Sequence, residues 1–403
     1  MELGPILRAL TRNRLGVILI ALQIAFTMTV VVNALFIIND RGERMGRPSG
    51  IDEANLFYLR SIGFGNNYNE AVSVAEDLAM LRQLPGIVDA TFINSIPLSD
   101  SGSSGGFMTE PGKPETLVAA ALYRVDAHAV QTMNLDLVAG ENFSQGEIRE
   151  RPSNENTFPD NVIITAALAE KLFPGEGLQA VGRTIFTMSD KATRISGIVR
   201  QLQAPWVGSD FIEQSILLPE NTIDGNVMYL IRAEPGQRDR LMAEIEERLA
   251  ASNPDRILRD LRSLEQTRER SYRIDSAMSQ ILYAVIGTLI FITAMGIVGL
   301  AVFSINRRRR QIGTRRALGA SQGEILRYFL LENVMITGTG VLVGAVLTIG
   351  FNIFLVQTFN MPRLDWYYTP LGMLVLVLVG QLAVIGPSRS AARIPPAVAT
   401  RSV

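Results

Sequence analysis

The residue types that do chemistry are sparse in this chain, and their arrangement excludes most kinds of active site. Among its 403 residues there is no cysteine, which removes thiolate nucleophiles, disulfides and thiolate metal sites. His128 is the single histidine, so no site that needs several imidazoles can be assembled; it and Trp206 read as structural or surface residues. No nucleophile–base pair and no metal-ligand spacing is found. The reading is therefore no catalytic residue, no metal site and no cofactor held by this chain, and nothing points to nucleic acid. The Gly-rich run Ser99-Asp-Ser-Gly-Ser-Ser-Gly-Gly106 lacks a phosphate loop's lysine and does not lead into a helix, so it reads as a flexible loop. No Gly-x-x-x-x-Gly-Lys-Ser/Thr occurs anywhere.

What the sequence does concentrate is arginine. Segments 1–14, 306–327 and 387–403 together hold thirteen arginines against two acids, Glu2 and Glu324. They carry +11 of a chain whose net charge is −1, leaving −12 for the remainder. The middle segment has the most structure written into it. Arg307 to Arg310 extend an apolar run and read as anchors to anionic headgroups. Residues 311–318 fit a short helix broken at Gly319, and Ser321-Gln-Gly-Glu324 fits a capping box opening the next helix. A short capped helix lying against a membrane is a suitable lever for a partner protein.

Four apolar runs position that segment: 15–38, 278–305, 330–359 and 368–386. Each reaches about 20 residues or more, enough to cross roughly 30 Å of hydrocarbon at about 1.5 Å per residue. Glu332 is the only charge inside them. The first run is too long for a signal peptide's apolar region and ends without a small-x-small cleavage signature, so an uncleaved anchor is expected. The positive-inside rule then places both termini and 306–327 in the cytoplasm. The expected order is a cytoplasmic segment 1–14, spans at 15–38, 278–305, 328–359 and 368–386, a connecting loop 306–327 and a tail 387–403. Small residues (Gly338, Gly340 and Gly344 in the third span, Gly287, Gly296 and Gly299 in the second) permit close helix packing, and Gly340-x-x-x-Gly344 suggests a dimer contact. The helix-packing candidates are Gly340, Gly344, Gly296 and Gly299.

Residues 39–277 then face outward as a folded domain. Strand 55–60, helix 69–82 and strand 87–93 are followed much later by strand 227–233, helix 236–251 and strand 256–261, two strand–helix–strand units bracketing the domain. They predict a two-lobed α+β subdomain, 39–97 with 221–262. The insertion 98–220 reads as a β-rich subdomain with strands at 118–125, 161–165, 184–187, 194–199 and 215–218, a helix at 166–172 and an exposed polar loop at 144–160. Residues 263–277 read as a stalk whose helix runs unbroken into the second span. The fold class is an integral membrane α-helical protein with four transmembrane helices and an α+β extracytoplasmic domain.

Several segments resemble MacB/FtsX-type ABC transporter permeases. Val138-Ala-Gly-Glu-Asn-Phe143, Asn161-Val-Ile-Ile-Thr-Ala-Ala-Leu-Ala-Glu-Lys-Leu-Phe-Pro-Gly175, Val181-Gly-Arg183 and Ile195-Ser-Gly-Ile-Val199 are similar to the MacB periplasmic core domain. Arg310-Gln-Ile-Gly-Thr-Arg-Arg-Ala-Leu-Gly-Ala-Ser321, with Glu332 after it, and Pro387-Ser-Arg-Ser-Ala-Ala-Arg-Ile-Pro-Pro396 resemble the FtsX-type transmembrane region. The resemblance implies a Porter-like subdomain for 39–97 and 221–262 and a Sabre-like one for 98–220. It implies a coupling role toward a separate ABC ATPase dimer, which would hold ATP and Mg, for Arg310, Ile312, Gly313, Arg315, Arg316, Ala317, Leu318, Gly319, Ala320, Ser321 and Glu324. It also implies a second permease, identical or related, in a bacterial inner membrane with the large domain in the periplasm. Mechanotransmission from ATPase to outer domain is the family's mode of action. The expected role is efflux through a periplasmic adaptor and a TolC-like outer-membrane channel; lipoprotein release of the Lol kind and FtsX-like control of cell-wall hydrolases are the alternatives. Beyond its protein partners, the chain is expected to contact membrane lipid.

Overall fold

The computed structural model describes residues 14–65, 68–152, 155 and 157–395. Arg8, Arg12 and most of the 1–14 segment, and the tail from Pro396 onward with Arg401, lie outside the described residues. In chain order, α1 (Arg14–Met45) leads to β1 (Leu56–Gly63), α2 (Glu70–Gln83) and β2 (Ile87–Ile93). The central stretch holds β3 (Ser103–Met108), β4 (Val118–Arg124), α3 (Ala129–Met133), β5 (Leu137–Gly140), β6 (Arg149–Pro152) and β7 (Asn161–Thr165). It continues with α4 (Ala166–Leu172), β8 (Thr184–Thr187), β9 (Ala192–Val199), β10 (Ser215–Leu218) and β11 (Glu220–Ile223). Then come β12 (Asn226–Ala233), α5 (Arg238–Ser252), β13 (Arg256–Ser263), α6 (Leu264–Ser271) and α7 (Arg273–Arg307). The chain finishes with α8 (Arg309–Ala317), α9 (Gln322–Phe359) and α10 (Tyr368–Ala392). Two compact units result: Gly46–Ile274, and a helical unit of α1 with everything from Asp275 onward.

In the first unit, the two strand–helix–strand segments interleave in one antiparallel sheet of order β13-β1-β12-β2. They are not two lobes, because each segment takes its ladder partners from the other. Phe57 and Leu59 point to one face, packing with Leu78, Leu81, Leu241, Ile245 and Leu249 of α2 and α5. Leu56 and Tyr58 point to the other, packing with Tyr123, Ile163 and Leu217. Both faces are covered, which is why β1 reads as a continuous apolar run and not as an alternation.

The insertion forms a seven-stranded sheet, β5-β9-β7-β10-β4-β3-β8, and β8 also pairs with β9, closing six strands into a ring. The Gly–Ser run expected as a loop enters this sheet at Ser103. Gly105 and Gly106 pair with Ala120 and Ala119 of β4, and a Cβ on Gly106 would stand 2.7 Å from Leu117. Ladder pairing and close approach decide the conformation there, over composition. The polar stretch 144–160 likewise contains β6, which pairs in parallel with β11. The stalk helix is not continuous: α6 ends at Ser271, and Tyr272 (φ −95, ψ 9) separates it from α7.

The helical unit has four helices long and apolar enough to cross a membrane: α1, α7, α9 and α10. All four outrun their apolar stretches, because helical hydrogen bonding does not require apolar side chains once the chain leaves hydrocarbon. At the end of α1, polar pairs four residues apart carry the helix on, Asn39 donating to Glu43 at 2.7 Å and Arg44 pairing with Asp40 at 3.0 Å. α10 likewise continues through Pro387 to Ala392, so the tail expected from 387 begins as helix.

The glycines decide how closely α1 and α9 approach. A Cβ on Gly340 would lie 2.8 Å from Ile24 Cβ and 3.0 Å from the Ala21 carbonyl oxygen. One on Gly344 would lie 2.9 Å from Met28 Cβ. The Gly340-x-x-x-Gly344 face is therefore filled by α1 of the same chain, and it is not free for a dimer contact. A Cβ on Gly296 of α7 would lie 2.7 Å from Gln23 Oε1, whereas one on Gly299 would meet nothing within 4 Å. Buried polar side chains tie the same helices together. The Thr27 and Thr293 hydroxyls are 2.8 Å apart, Asn33 Nδ2 donates to the Thr348 carbonyl, and Asn333 Nδ2 donates to that of Gly380 at 2.9 Å. Gly340→Ile should cost roughly 1–3 kcal/mol by overpacking and lower the detergent-solubilised chain's melting temperature, while Gly299→Ile should leave it unchanged. Equal melting of the two variants would show that α1 and α9 do not meet at Gly340.

Candidate functional site

The connection between α7 and α9 brings the sequence-predicted residues together in one compact element. α7 ends at Arg307, and α8 (Arg309–Ala317) follows after a single residue. α8 is short and strongly basic, so propensity alone would not hold it; packing does. Ile312 and Gly313 are buried, and Ile312 joins a cluster of Ile305, Ile325, Tyr328, Phe329, Ala391, Ala392 and Ile394 from α7, α9 and the end of α10. The helix is clamped by one edge to the ends of three others.

Its far end is shaped by backbone chemistry. Gly319 has φ +98, a conformation costly for any residue with a Cβ, and it reverses the chain after α8. Arg316 Nη1 donates to the Ala320 carbonyl at 2.9 Å, and the Ala320 amide donates to the Arg315 carbonyl, closing the turn. The capping box forms as expected. Ser321 Oγ accepts from the Glu324 amide at 3.2 Å, and a Glu324 carboxylate oxygen accepts from the Ser321 amide at 2.8 Å. The Arg315 guanidinium lies 5.1 Å from the Tyr328 ring centre.

With the buried edge committed, the rest of the element is presented outward. Arg310, Arg315, Ala317, Leu318, Gly319, Ser321 and Glu324 are exposed, and Arg316 and Ala320 are half-buried. Leu318 stands out: a leucine at the tip of the turn, 83 % exposed, two residues after Arg316.

One residue behaves differently from its neighbours. Arg308 does not anchor to headgroups. It turns inward and donates to Glu332 at 3.0 Å, with the Tyr328 hydroxyl at 3.5 Å. A carboxylate inside an apolar helix is costly without a counter-charge, and Arg308, standing between α7 and α8, supplies it. Glu332 was visible in the sequence as the lone acid of the apolar runs. The signal for Arg308 was the need for a cation to neutralise it, but nothing in the run of four arginines says which one. Among the described residues, no group of three or more His, Asp or Glu is arranged to hold a metal ion.

Comparison with known proteins agrees with this architecture. Residues 17–248 match the MacB-like periplasmic core domain family and residues 283–396 the FtsX-like permease C-terminal family. The macrolide export ATP-binding/permease protein MacB of Escherichia coli (strain K12) is 22 % identical over 96 % of this chain and 58 % of its own length. The uncharacterized ABC transporter permease YknZ of Bacillus subtilis (strain 168) is 30 % identical over 32 % of this chain and 33 % of its own. The crystal structure of the periplasmic region of MacB from Actinobacillus actinomycetemcomitans aligns over 57 % of this chain and 97 % of that one, with 14 % identity and a TM-score of 0.34. The chain thus spans between a third and three fifths of the length of these curated relatives. With the periplasmic core profile covering more than half of the chain and the permease profile most of the rest, the protein is a multi-pass membrane protein of the MacB/FtsX-type ABC transporter permease family.

Proposed function

We propose that this chain is the permease subunit through which a separate ABC ATPase dimer drives the outer domain, with α8 and the Leu318–Gly319 tip as the surface the ATPase grips. The observation that carries the reading is the combination at α8. One edge is packed into the ends of three membrane helices, so a push on it moves them as a body, while the apolar Leu318 is held outside any core of its own. The ATPase supplies ATP and Mg chemistry; this chain transmits the movement. In this reading α8 and the arginine-rich segments face the cytoplasm and Gly46–Ile274 the periplasm of a bacterial inner membrane, which the positive-inside rule supports. A second permease, identical or related, completes the assembly. The substrate-handling step is efflux through a periplasmic adaptor and an outer-membrane channel, a reading supported by the macrolide export named for the Escherichia coli relative.

The test is crosslinking in the native host, purification of this chain in mild detergent, and identification of what stays with it. An ATPase together with an adaptor supports efflux. An ATPase with a lipoprotein carrier or a cell-wall hydrolase instead moves the function to lipoprotein release or cell-wall control, and recovery without any ATPase sinks the proposal.

A further inference from the structure

A groove of about 670 Å³ lies in the helical unit where α1, α7 and α10 diverge, toward the α1 end that leads to the folded domain. This is within the roughly 300–1,000 Å³ range of small-molecule sites. Its walls are apolar, with Leu35, Leu371 and Val375 exposed along it and Val31 and Val32 beneath. Small residues make the room. Gly42 has no neighbour within 4 Å of its Cβ position, and Gly372 lets α10 settle on Val32.

Its polar lining carries one charged side chain. Asn39 and Glu43 stand there with Ser279 and Tyr283. Of the charges nearby, Arg41 pairs with Asp275 and Arg44 with Asp40. Glu43 receives one hydrogen bond, from Asn39, and among the described residues it takes part in no ion pair. It sits in the last turn of α1 beside Arg44, whose guanidinium pairs with Asp40. A carboxylate with no ion-pair partner beside an apolar groove attracts a cation.

We propose that this groove seats a bilayer lipid with an ammonium headgroup, its chain against Leu35, Leu371 and Val375 and its ammonium at Glu43. The occupant follows from position and charge. Helices that cross a bilayer offer an open apolar groove to lipid chains, and the one carboxylate of the lining favours a zwitterionic head that presents an ammonium over an anionic head. The site is separate from the α8 surface, so failure of either reading leaves the other intact.

The experiment uses the full chain in phosphatidylglycerol nanodiscs doped with a diazirine-tailed phosphatidylethanolamine or, in parallel, a diazirine-tailed phosphatidylglycerol, with labelled peptides mapped by mass spectrometry. The ethanolamine probe should label the groove segments of α1 and α10 in preference to the glycerol probe. Glu43→Gln should lower ethanolamine labelling there about fivefold, the size of effect one charge at a membrane surface supports, and raise glycerol labelling toward it. Leu35→Trp with Val375→Trp should fill the groove and remove its label while labelling on the exposed face of α9 persists. Equal labelling by the two probes, or groove labelling that survives the tryptophans, overturns the proposal. So does a groove that neither probe labels, which would leave it to a second copy of the chain.

Discussion

Leu318→Asp should reduce stimulation of the proposed partner ATPase by well over tenfold and leave the permease's own melting temperature unchanged. The two halves of this expectation have separate physical grounds. At 83 % exposure Leu318 contributes almost nothing to its own fold, and surface substitutions of that kind stay within about 0.5 kcal/mol. In a partner's groove the same side chain would bury its apolar surface for about 2 kcal/mol. The aspartate would instead bring an uncompensated charge into the contact, so the total loss falls in the range of roughly 2–4 kcal/mol found for central interface residues. Gly319→Val strikes the same tip by another route, because φ +98 is closed to a β-branched residue and the turn must re-form elsewhere. The measurement is ATP hydrolysis by the purified ATPase as nanodisc-embedded permease is titrated in. Full stimulation by both variants would remove α8 from the coupling path. Ile312→Asp is no substitute for either, since Ile312 is buried and its loss would disturb the helix ends directly.

How much of this was legible beforehand depends on which force decides each element. Where the bilayer decides, the sequence is nearly sufficient: an uncharged run of 20 residues has few alternatives, and each apolar run lies within one of the four long helices. Local chemistry was equally readable at Ser321 and Glu324, since a capping box needs only two side chains and one turn. Partners distant in sequence were not readable. The Gly340–Gly344 pair announces that something packs closely but not that it is Ile24 and Met28 of the same chain. Ser99–Gly106 looks like a loop because its glycines have no strand propensity, yet from Ser103 onward it is a strand, paired with the following β4 and with β8 far along the chain. The interleaving of β1 and β12 is of the same kind. Propensity locates both strands, but only the joint burial of their two faces sets the order. Within the candidate site, the exposed tip follows from local signals, while the Arg308–Glu332 pair is a tertiary choice among four consecutive arginines.

The folded unit Gly46–Ile274 carries its own large effect at Arg256. This side chain is fully buried, and it pairs with Asp77 of α2, itself 5 % exposed. Its guanidinium also donates to the Leu249 carbonyl and to Ser252 at the end of α5, while the Tyr229 hydroxyl of β12 donates to Asp77 at 2.6 Å. One ion pair thus joins both helices to the edge strand β13 and the inner strand β12, on the face of the sheet where the two strand–helix–strand segments meet. Arg256→Ala leaves Asp77 enclosed without its counter-charge, and it removes the guanidinium's bonds to the Leu249 carbonyl and the Ser252 hydroxyl at the end of α5. Breaking a buried pair from one side costs roughly 3–5 kcal/mol, a large share of a domain stability of about 5–15 kcal/mol. Amide exchange in β12, β13 and α5 of the full chain should accelerate by two orders of magnitude or more, with α9 and α10 unaffected. Replacing both partners by apolar residues of similar volume, Arg256→Met with Asp77→Leu, should recover most of the loss despite removing the same ion pair. If the double variant exchanged as fast as Arg256→Ala, the stabilisation would reside in the arginine's bonds to Leu249 and Ser252, and the pair with Asp77 would be incidental.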